Sequence, residues 1–204
     1  MNSEQNIFDR LVAVSDRHVF DDAPDPRAAF LAQIRRIGGW SPKMLVLREK
    51  DLTPETYREL LLQVLDLFDE NDPFRQRIVP HLFYETALEL EIPRIHLPLG
   101  LLKELHEKKP EILTSFRLIG TSVHSPADAR EAEESGAHYC FAGNVWETGC
   151  KPGLEGRGLQ YLKETAAAVS IPVYGIGGVS LERMPEVLAA GAAGGCMMSG
   201  FMKM

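Results

Sequence analysis

The stretch Val173-Tyr174-Gly175-Ile176-Gly177-Gly178-Val179-Ser180-Leu181-Glu182-Arg183, running on through Ala190 to Gly194-Gly195-Cys196-Met197-Met198-Ser199-Gly200, decides the fold. It begins as a short apolar strand, turns through two glycines, opens a helix at Ser180 that runs to Ala190, and returns to a second apolar run. Short apolar runs bounded by turn residues read as strands buried on both faces, and strands joined by helical crossovers lie parallel. Working outward, the same alternation fills the chain. Further strand candidates are residues 11–14, 44–47, 77–79, 94–97, 117–121 and 138–141, which with 173–176 and 194–198 make eight. Helical patterns lie between them at 26–37, 53–68, 84–90, 101–108, 125–135 and 158–168. In the second of these, Thr53-Pro54-Glu55 supplies an N-cap and a first-turn proline, and Tyr57, Leu60, Leu61, Val64, Leu65 and Phe68 recur at helical spacing. Eight such units close into a (β/α)8 TIM barrel, an open doubly wound sheet being the alternative. The absence of Gly-x-Gly-x-x-Gly after the first strand counts against a dinucleotide fold.

The chain has 204 residues, which suits one domain spanning 1–204 and sits near the lower end for an eight-unit barrel. Only Phe201-Met202-Lys203-Met204 follow the last strand, so the eighth helix is expected to be missing or severely shortened. That would leave an under-covered apolar face between the seventh and first helices, and hence a homo-oligomer. The segment 68–76 reads as a charged loop and an insertion site. With 45% apolar and 25% charged residues the composition is that of a globular protein, not a disordered one. A net charge of −7 argues against broad nucleic-acid binding but leaves room for a local basic pocket and a small anionic ligand. No apolar run is long enough for a membrane span, and the N-terminus lacks a signal-peptide pattern. The three cysteines, Cys140, Cys150 and Cys196, form no CxxC pair and no even framework; reduced thiols in a cytoplasmic protein are expected.

In barrels of this class the chemistry sits at the C-terminal ends of the strands. Gly177 and Gly178 after the seventh strand, with Ser199 and Gly200 after the eighth, make a candidate phosphate cradle of free backbone N–H groups. Arg48 and Lys50 share one face of the second strand end, where two cations could meet phosphate or carboxylate; the alternative is a solvated end with a surface Glu49 ion pair. The long loop 143–158, with four glycines after Gly143, reads as a lid whose Lys151 could reach an anion, or as a mobile surface loop. Ser122 is a polar candidate at the fifth strand end. His81 and His124, also at strand ends, are the acid–base candidates, whereas His96 and His138 fall inside strands and are expected to be packed. No metal-ligand spacing occurs among the six histidines, so no metal is expected.

Leu47-Arg48-Glu49-Lys50, Ile119-Gly120-Thr121-Ser122-Val123-His124-Ser125, Ala137-His138-Tyr139, the segment Gly143 to Gly158 and Ile176-Gly177-Gly178, in that order, resemble the thiamine-phosphate synthase/TenI superfamily. The segment 145–158 most resembles the TenI, or thiazole tautomerase, branch. The resemblance implies a (β/α)8 barrel and a role in thiamine biosynthesis, with a thiazole phosphate held on Gly177, Gly178 and Ser199. The synthase of this family couples a pyrimidine pyrophosphate to a thiazole phosphate with Mg2+; the tautomerase moves a proton on a thiazole carboxylate phosphate and needs no metal. The synthase pattern has an Asn-Asp pair after the third strand and an acid after the fourth. Here His81-Leu82 and Pro98-Leu99-Gly100 stand there, which removes hard oxygen ligands for Mg2+. The tautomerase places its catalytic histidine where this chain has Asn144; His124 and His81 are the replacement candidates and Glu147 a weaker one, the alternative being that Asn144 only orients substrate by hydrogen bonds. The expectation is therefore a TenI-like tautomerase homologue, with the Mg2+-dependent synthase as the alternative enzyme and a non-catalytic phosphate-ligand binding or regulatory barrel as the alternative of another class.

Overall fold

The computed structural model describes residues 7–149, 153 and 155–204. Eight strands are present: β1 (Leu11–Val14), β2 (Met44–Leu47), β3 (Ile78–Pro80), β4 (Arg94–Pro98), β5 (Leu118–Val123), β6 (Tyr139–Gly143), β7 (Val173–Ile176) and β8 (Gly194–Met197). All ladders are parallel, in the order β3-β2-β1-β8-β7-β6-β5-β4. The circle closes between its two ends by a single parallel bridge, His81 to His96. This is the expected barrel, with helices α1 (Pro26–Trp40), α2 (Pro54–Leu65), α3 (Tyr84–Glu89), α4 (Leu99–Lys108), α5 (Pro110–Thr114), α6 (Pro126–Glu134), α7 (Gly158–Ala167), α8 (Met184–Ala189) and α9 (Ser199–Lys203) outside it.

The helix starts follow from local chemistry. Asp25, Thr53 and Ser125 each accept a hydrogen bond from the backbone N–H three residues on, and each precedes a proline in the first turn. The 3₁₀ turn at Arg17–Phe20 and the short α5 were not anticipated; both are single turns with no periodicity to read. The segment 68–76 is not a simple charged loop. Phe68 and Phe74 are buried in it with ring centroids 5.1 Å apart.

Two apolar cores share the strands. Outward residues such as Leu11, Leu45, Leu47, Ile95 and Leu97 pack under the helices. Inward residues, among them Val12, Val14, Val46, Val79, Tyr139, Phe141 and Tyr174, fill the barrel. Filling is tight on the β4–β6 side. Gly120 pairs with His96 on one strand and Tyr139 on the other, and a side chain at 120 would run into the Tyr139 ring. The space of one missing Cβ lets Tyr139 lie across the interior, where its hydroxyl bonds His96 Nδ1 at 3.2 Å. His96 Nε2 meets Ser122 Oγ at 3.0 Å.

The closing seam is reinforced from outside. Tyr57 of α2 is fully buried; its hydroxyl donates to the Leu47 carbonyl at 2.7 Å and accepts from the His81 N–H at 2.9 Å. It thus joins the ends of β2 and β3, while Leu82 N–H donates to the His96 carbonyl at 2.9 Å.

The eighth helix is short, as its four or five residues demand, but the face it covers is not left open. Phe201 and Met202 of α9 are buried. Phe8, in the 3₁₀ turn Ile7–Arg10, lies between Trp40 and Phe201 at centroid distances of 6.1 and 6.2 Å. Gln33 Nε2 donates to the Phe201 carbonyl and Arg36 to that of Met204. Among the described residues only Ile7 and Met204 are exposed large hydrophobics. This corrects the expectation of an under-covered apolar face awaiting a partner subunit: aromatic rings from both ends of the chain seal it.

Two predictions follow from the barrel interior. Gly120→Ala forces the Tyr139 ring to move and is expected to cost about 1–3 kcal/mol in urea unfolding. Gly39→Ala, with open space around its Cβ in α1, should be neutral or stabilising; equal effects of the two changes would refute the packing argument. Burial, together with the positive charge of Arg48 and Lys50, pushes His81 down to about 4, and burial likewise holds His96 well below its usual range. The unfolded rings titrate near 6.5 and bind protons that the folded rings refuse. Stability is therefore full above about pH 6.5 and falls as pH drops towards 4, by roughly 1 kcal/mol per pH unit for each ring. Urea midpoints between pH 7 and 5 test this, with a shallower slope expected for His81→Gln; a flat wild-type profile contradicts it.

Candidate active site at the C-terminal mouth

The ends of β2, β3, β4 and β5 bring one group of the anticipated residues together. Arg48 and the exposed Lys50 follow the end of β2, near enough to His81 to oppose its protonation. His81 is buried, its ring centroid 5.6 Å from that of His96, and among the described residues its Nδ1 has no hydrogen-bond partner. Ser122 is held by His96. The column Tyr139–His96–Ser122 therefore rises from the interior to the mouth as a chain of side-chain hydrogen bonds.

Glu49 does not form the surface ion pair that was the alternative reading of this strand end. It is 2% exposed. Ser15 Oγ donates to it at 2.5 Å, and the Arg17 backbone N–H and guanidinium donate at 3.2 and 3.3 Å. Burial raises its pKa, against the lowering effect of those donors. Arg17 also forks onto Asp51, and His18 bonds both Asp51 and Asp21. The Arg17 guanidinium holds Asp51 far below the usual carboxylate range. Ser15 in turn accepts from the Arg48 N–H at 2.8 Å, so this acidic network fixes the backbone that presents Arg48. Nothing in the sequence marked Ser15 or Arg17 for that role, because their partner lies over thirty residues away.

A second group gathers after β6 and β7. Gly177 and Gly178 have φ of +93° and +68°, a region costly for other residues. A Cβ at Gly177 would stand 2.5 Å from Asn144 Cβ, and one at Gly178 2.6 Å from Trp146 Cβ. These glycines therefore serve the packing of the loop after β6 as well as any cradle. Gly200 differs: its backbone is ordinary, and a Cβ there would press only on the flexible end of Met197. Ser199 is exposed at the start of α9, and the β7–β8 pairing of Ile176 with Cys196 sets its loop beside the glycines.

Asn144 takes a different part from the expected one. It is 6% exposed, and its side-chain amide donates to the carbonyls of Trp146 and Glu155 at 3.3 and 3.4 Å. It thereby ties Trp146 and Glu155 together in the loop after β6. Arg183 completes the lock, donating to the Gly178 carbonyl at 2.6 Å with its guanidinium 4.7 Å from the Trp146 ring centroid. Arg183 was not anticipated, since it lies in the turn before α8. Lys151 and Cys150 lie outside the described residues.

His124 follows β5, exposed, beside the end of β6. Its ring Nδ1 lies 2.9 Å from the Gly143 carbonyl. A carbonyl only accepts, so Nδ1 carries the hydrogen and, in the neutral ring, Nε2 is left as the base. Asp128 accepts from the His124 backbone N–H at 2.8 Å and steadies the turn. His138, expected to be packed, is exposed just ahead of β6, its Nδ1 accepting from the Ile119 N–H.

Among the described residues no group of three or more His, Cys, Asp or Glu side chains is placed to hold a metal ion, and no helix is long and apolar enough to cross a membrane.

Comparison with known proteins bears on this geometry. The family model for thiamine monophosphate synthase matches residues 11–201. The thiamine-phosphate synthase of Caldivirga maquilingensis is 41% identical over 85 residues, a match spanning only 42% of each chain. That of Desulfitobacterium hafniense is 31% identical over 179 residues, covering 85% of this chain and 82% of its own. The structure of the thiamine phosphate pyrophosphorylase from Pyrococcus furiosus superposes with a TM-score of 0.76 at 24% identity, covering 98% of this chain and 90% of that one, which supports the barrel fold. A match that runs from the first strand into the last helix settles membership: the chain belongs to the thiamine monophosphate synthase/TenI family.

Proposed function

We propose that this protein binds a phosphorylated thiazole at the C-terminal mouth of the barrel, in thiamine biosynthesis, and moves a proton on it without a metal. The phosphate would lie on Gly177, Gly178 and Ser199, with Gly200 beside them. Arg48 and Lys50 would face a carboxylate or second anion, Ser122 would donate a hydrogen bond, and Lys151 would close over the ligand. A soluble cytoplasmic setting fits this chemistry.

The observation that carries the reading is the tethering of His124. With Nδ1 committed to the Gly143 carbonyl, Nε2 can take a proton and return it. His81 is the weaker candidate, because a ring pushed down to about 4 is a poor proton donor near neutrality. Asn144 is discounted as a proton carrier, being an amide already engaged with the loop.

The second reading is the synthase, a transferase, and the names of the relatives favour it. When bound, Mg2+ would neutralise the pyrophosphate leaving group. The donor set does not fit that ion well: His81-Leu82 follows β3 and Pro98-Leu99 follows β4, while Glu49 and Asp51 are taken up by Arg17.

Purified protein assayed with a thiazole carboxylate phosphate, alone and with a pyrimidine pyrophosphate and Mg2+, separates the readings. Tautomerisation without metal, reduced about 10²–10⁴-fold in His124→Ala with binding kept, is the expected result. Efficient Mg2+-dependent coupling would establish the synthase instead, and binding without either reaction would leave a ligand-binding barrel. Ser199→Asp should weaken phosphate binding at least tenfold by calorimetry, since it sets a negative charge beside the cradle.

A further inference from the structure

At the opposite, N-terminal mouth of the barrel lies a cavity of about 480 Å³. Its walls come from the first residues of the strands: Met44 of β2, Arg94 of β4, Leu118 of β5, Tyr139 of β6 and Tyr174 of β7. In barrels of this class that face ordinarily serves stability, and a cavity of this size falls within the range of small-molecule sites. Tyr139, His96 and Ser122 stand between it and the C-terminal mouth, so it is no extension of the site described above.

The charge of its lining is opposite to that of the chain. Lys43, Arg77 and Arg94 contribute three cations against the one acid Asp9, in a protein of net charge −7. None of the three cations has an ion-pair partner among the described residues. Arg77 uses one guanidinium nitrogen on the carbonyls of Ser41 and Pro42 and the Ser41 hydroxyl. Arg94 donates Nε–H to the Ile78 carbonyl at 3.0 Å and reaches the Arg75 carbonyl at 3.5 Å. Its other N–H groups have no acceptor among the described residues. Burial lowers the Arg94 pKa, with no carboxylate to offset the cost. A half-buried cation with no carboxylate partner, beside a cavity that also presents two tyrosines and Leu118, is an arrangement that an oxyanion on an apolar body would complement.

We propose that the N-terminal mouth is a second ligand site, for a small molecule with an oxyanion on a ring-sized apolar body. The oxyanion meets Arg94, Arg77 and Lys43, and the body lies against Tyr174, Tyr139 and Leu118. This does not depend on the reaction proposed for the other mouth.

The probe is phenyl phosphate, titrated into the full chain and followed by backbone amide NMR, with phenol as the uncharged control. Saturable shifts are expected at the amides of Lys43, Met44, Arg94, Leu118 and Tyr174, with none from phenol at the same concentration. Binding at the other mouth reads out separately at Gly177, Gly178 and Ser199. Lys43→Glu, a change at an exposed side chain, should weaken the N-terminal binding about tenfold and leave the shifts at Gly177 and Gly178 unchanged. Arg94→Met is the second variant and should weaken it at least as much. The proposal fails if about 10 mM phenyl phosphate, well above a millimolar dissociation constant, moves only the C-terminal amides. It also fails if phenol shifts the N-terminal amides equally, or if both variants bind as the wild type does.

Discussion

The barrel depends on the seam between β3 and β4. Seven strand pairs are joined by continuous ladders, but the eighth is a single bridge between His81 and His96. Closure there combines a backbone bond, Leu82 N–H to the His96 carbonyl, with side-chain contacts. Tyr57 holds the end of β2 to that of β3, and the two imidazoles lie together inside. Because both rings are buried near Arg48, they are neutral, which lets them pack without a counter-ion. The seam thus couples closure to the C-terminal mouth. Arg48 and Lys50, at the edge of that mouth, add to the burial that keeps His81 uncharged.

The rest of that mouth is organised by one interlock. Asn144 ties the lid segment to itself, Trp146 and Asn144 fill the space above Gly177 and Gly178, and Arg183 clamps the glycine loop to Trp146. Glycine is required at 177 and 178 for two independent reasons, backbone conformation and close approach. A loop held this way is fixed by its own contacts, and the ligand proposed for it would meet a smaller ordering cost. The network Ser15–Glu49–Arg17–Asp51 does the same for Arg48 from the other side. In both cases a charged side chain inside the protein positions a neighbour.

Much of this was readable from local chemistry. Leu11–Val14, Met44–Leu47 and Val173–Ile176 have the strand limits expected from their apolar runs. Other strands are displaced by a residue or two, as at Leu118–Val123, where polar Ser122 continues the ladder because it faces the barrel interior and finds His96. The helix caps at Asp25, Thr53 and Ser125 were equally local. What escaped were roles set by distant partners. Glu49 looked like a surface residue until Ser15 and Arg17 were brought to it. Asn144 looked like a lost histidine until the carbonyls of Trp146 and Glu155 closed around its amide. Arg183 carried no motif at all.

By itself, the sequence determined the alternation of strand and helix, the parallel barrel and the end of the barrel at which glycines, histidines and cations collect. These follow from periodicity, caps and turn residues, which act over a few positions of the chain. The tertiary structure alone decided which polar groups are satisfied and which are left to meet a ligand. It showed Phe8 and Phe201, from opposite ends of the chain, sealing a face that length alone left bare. It also gathered Lys43, Arg77 and Arg94 around one cavity. Hydrogen bonds and desolvation depend on what packs within a few ångströms, and in a closed barrel those neighbours come from strands far apart in sequence.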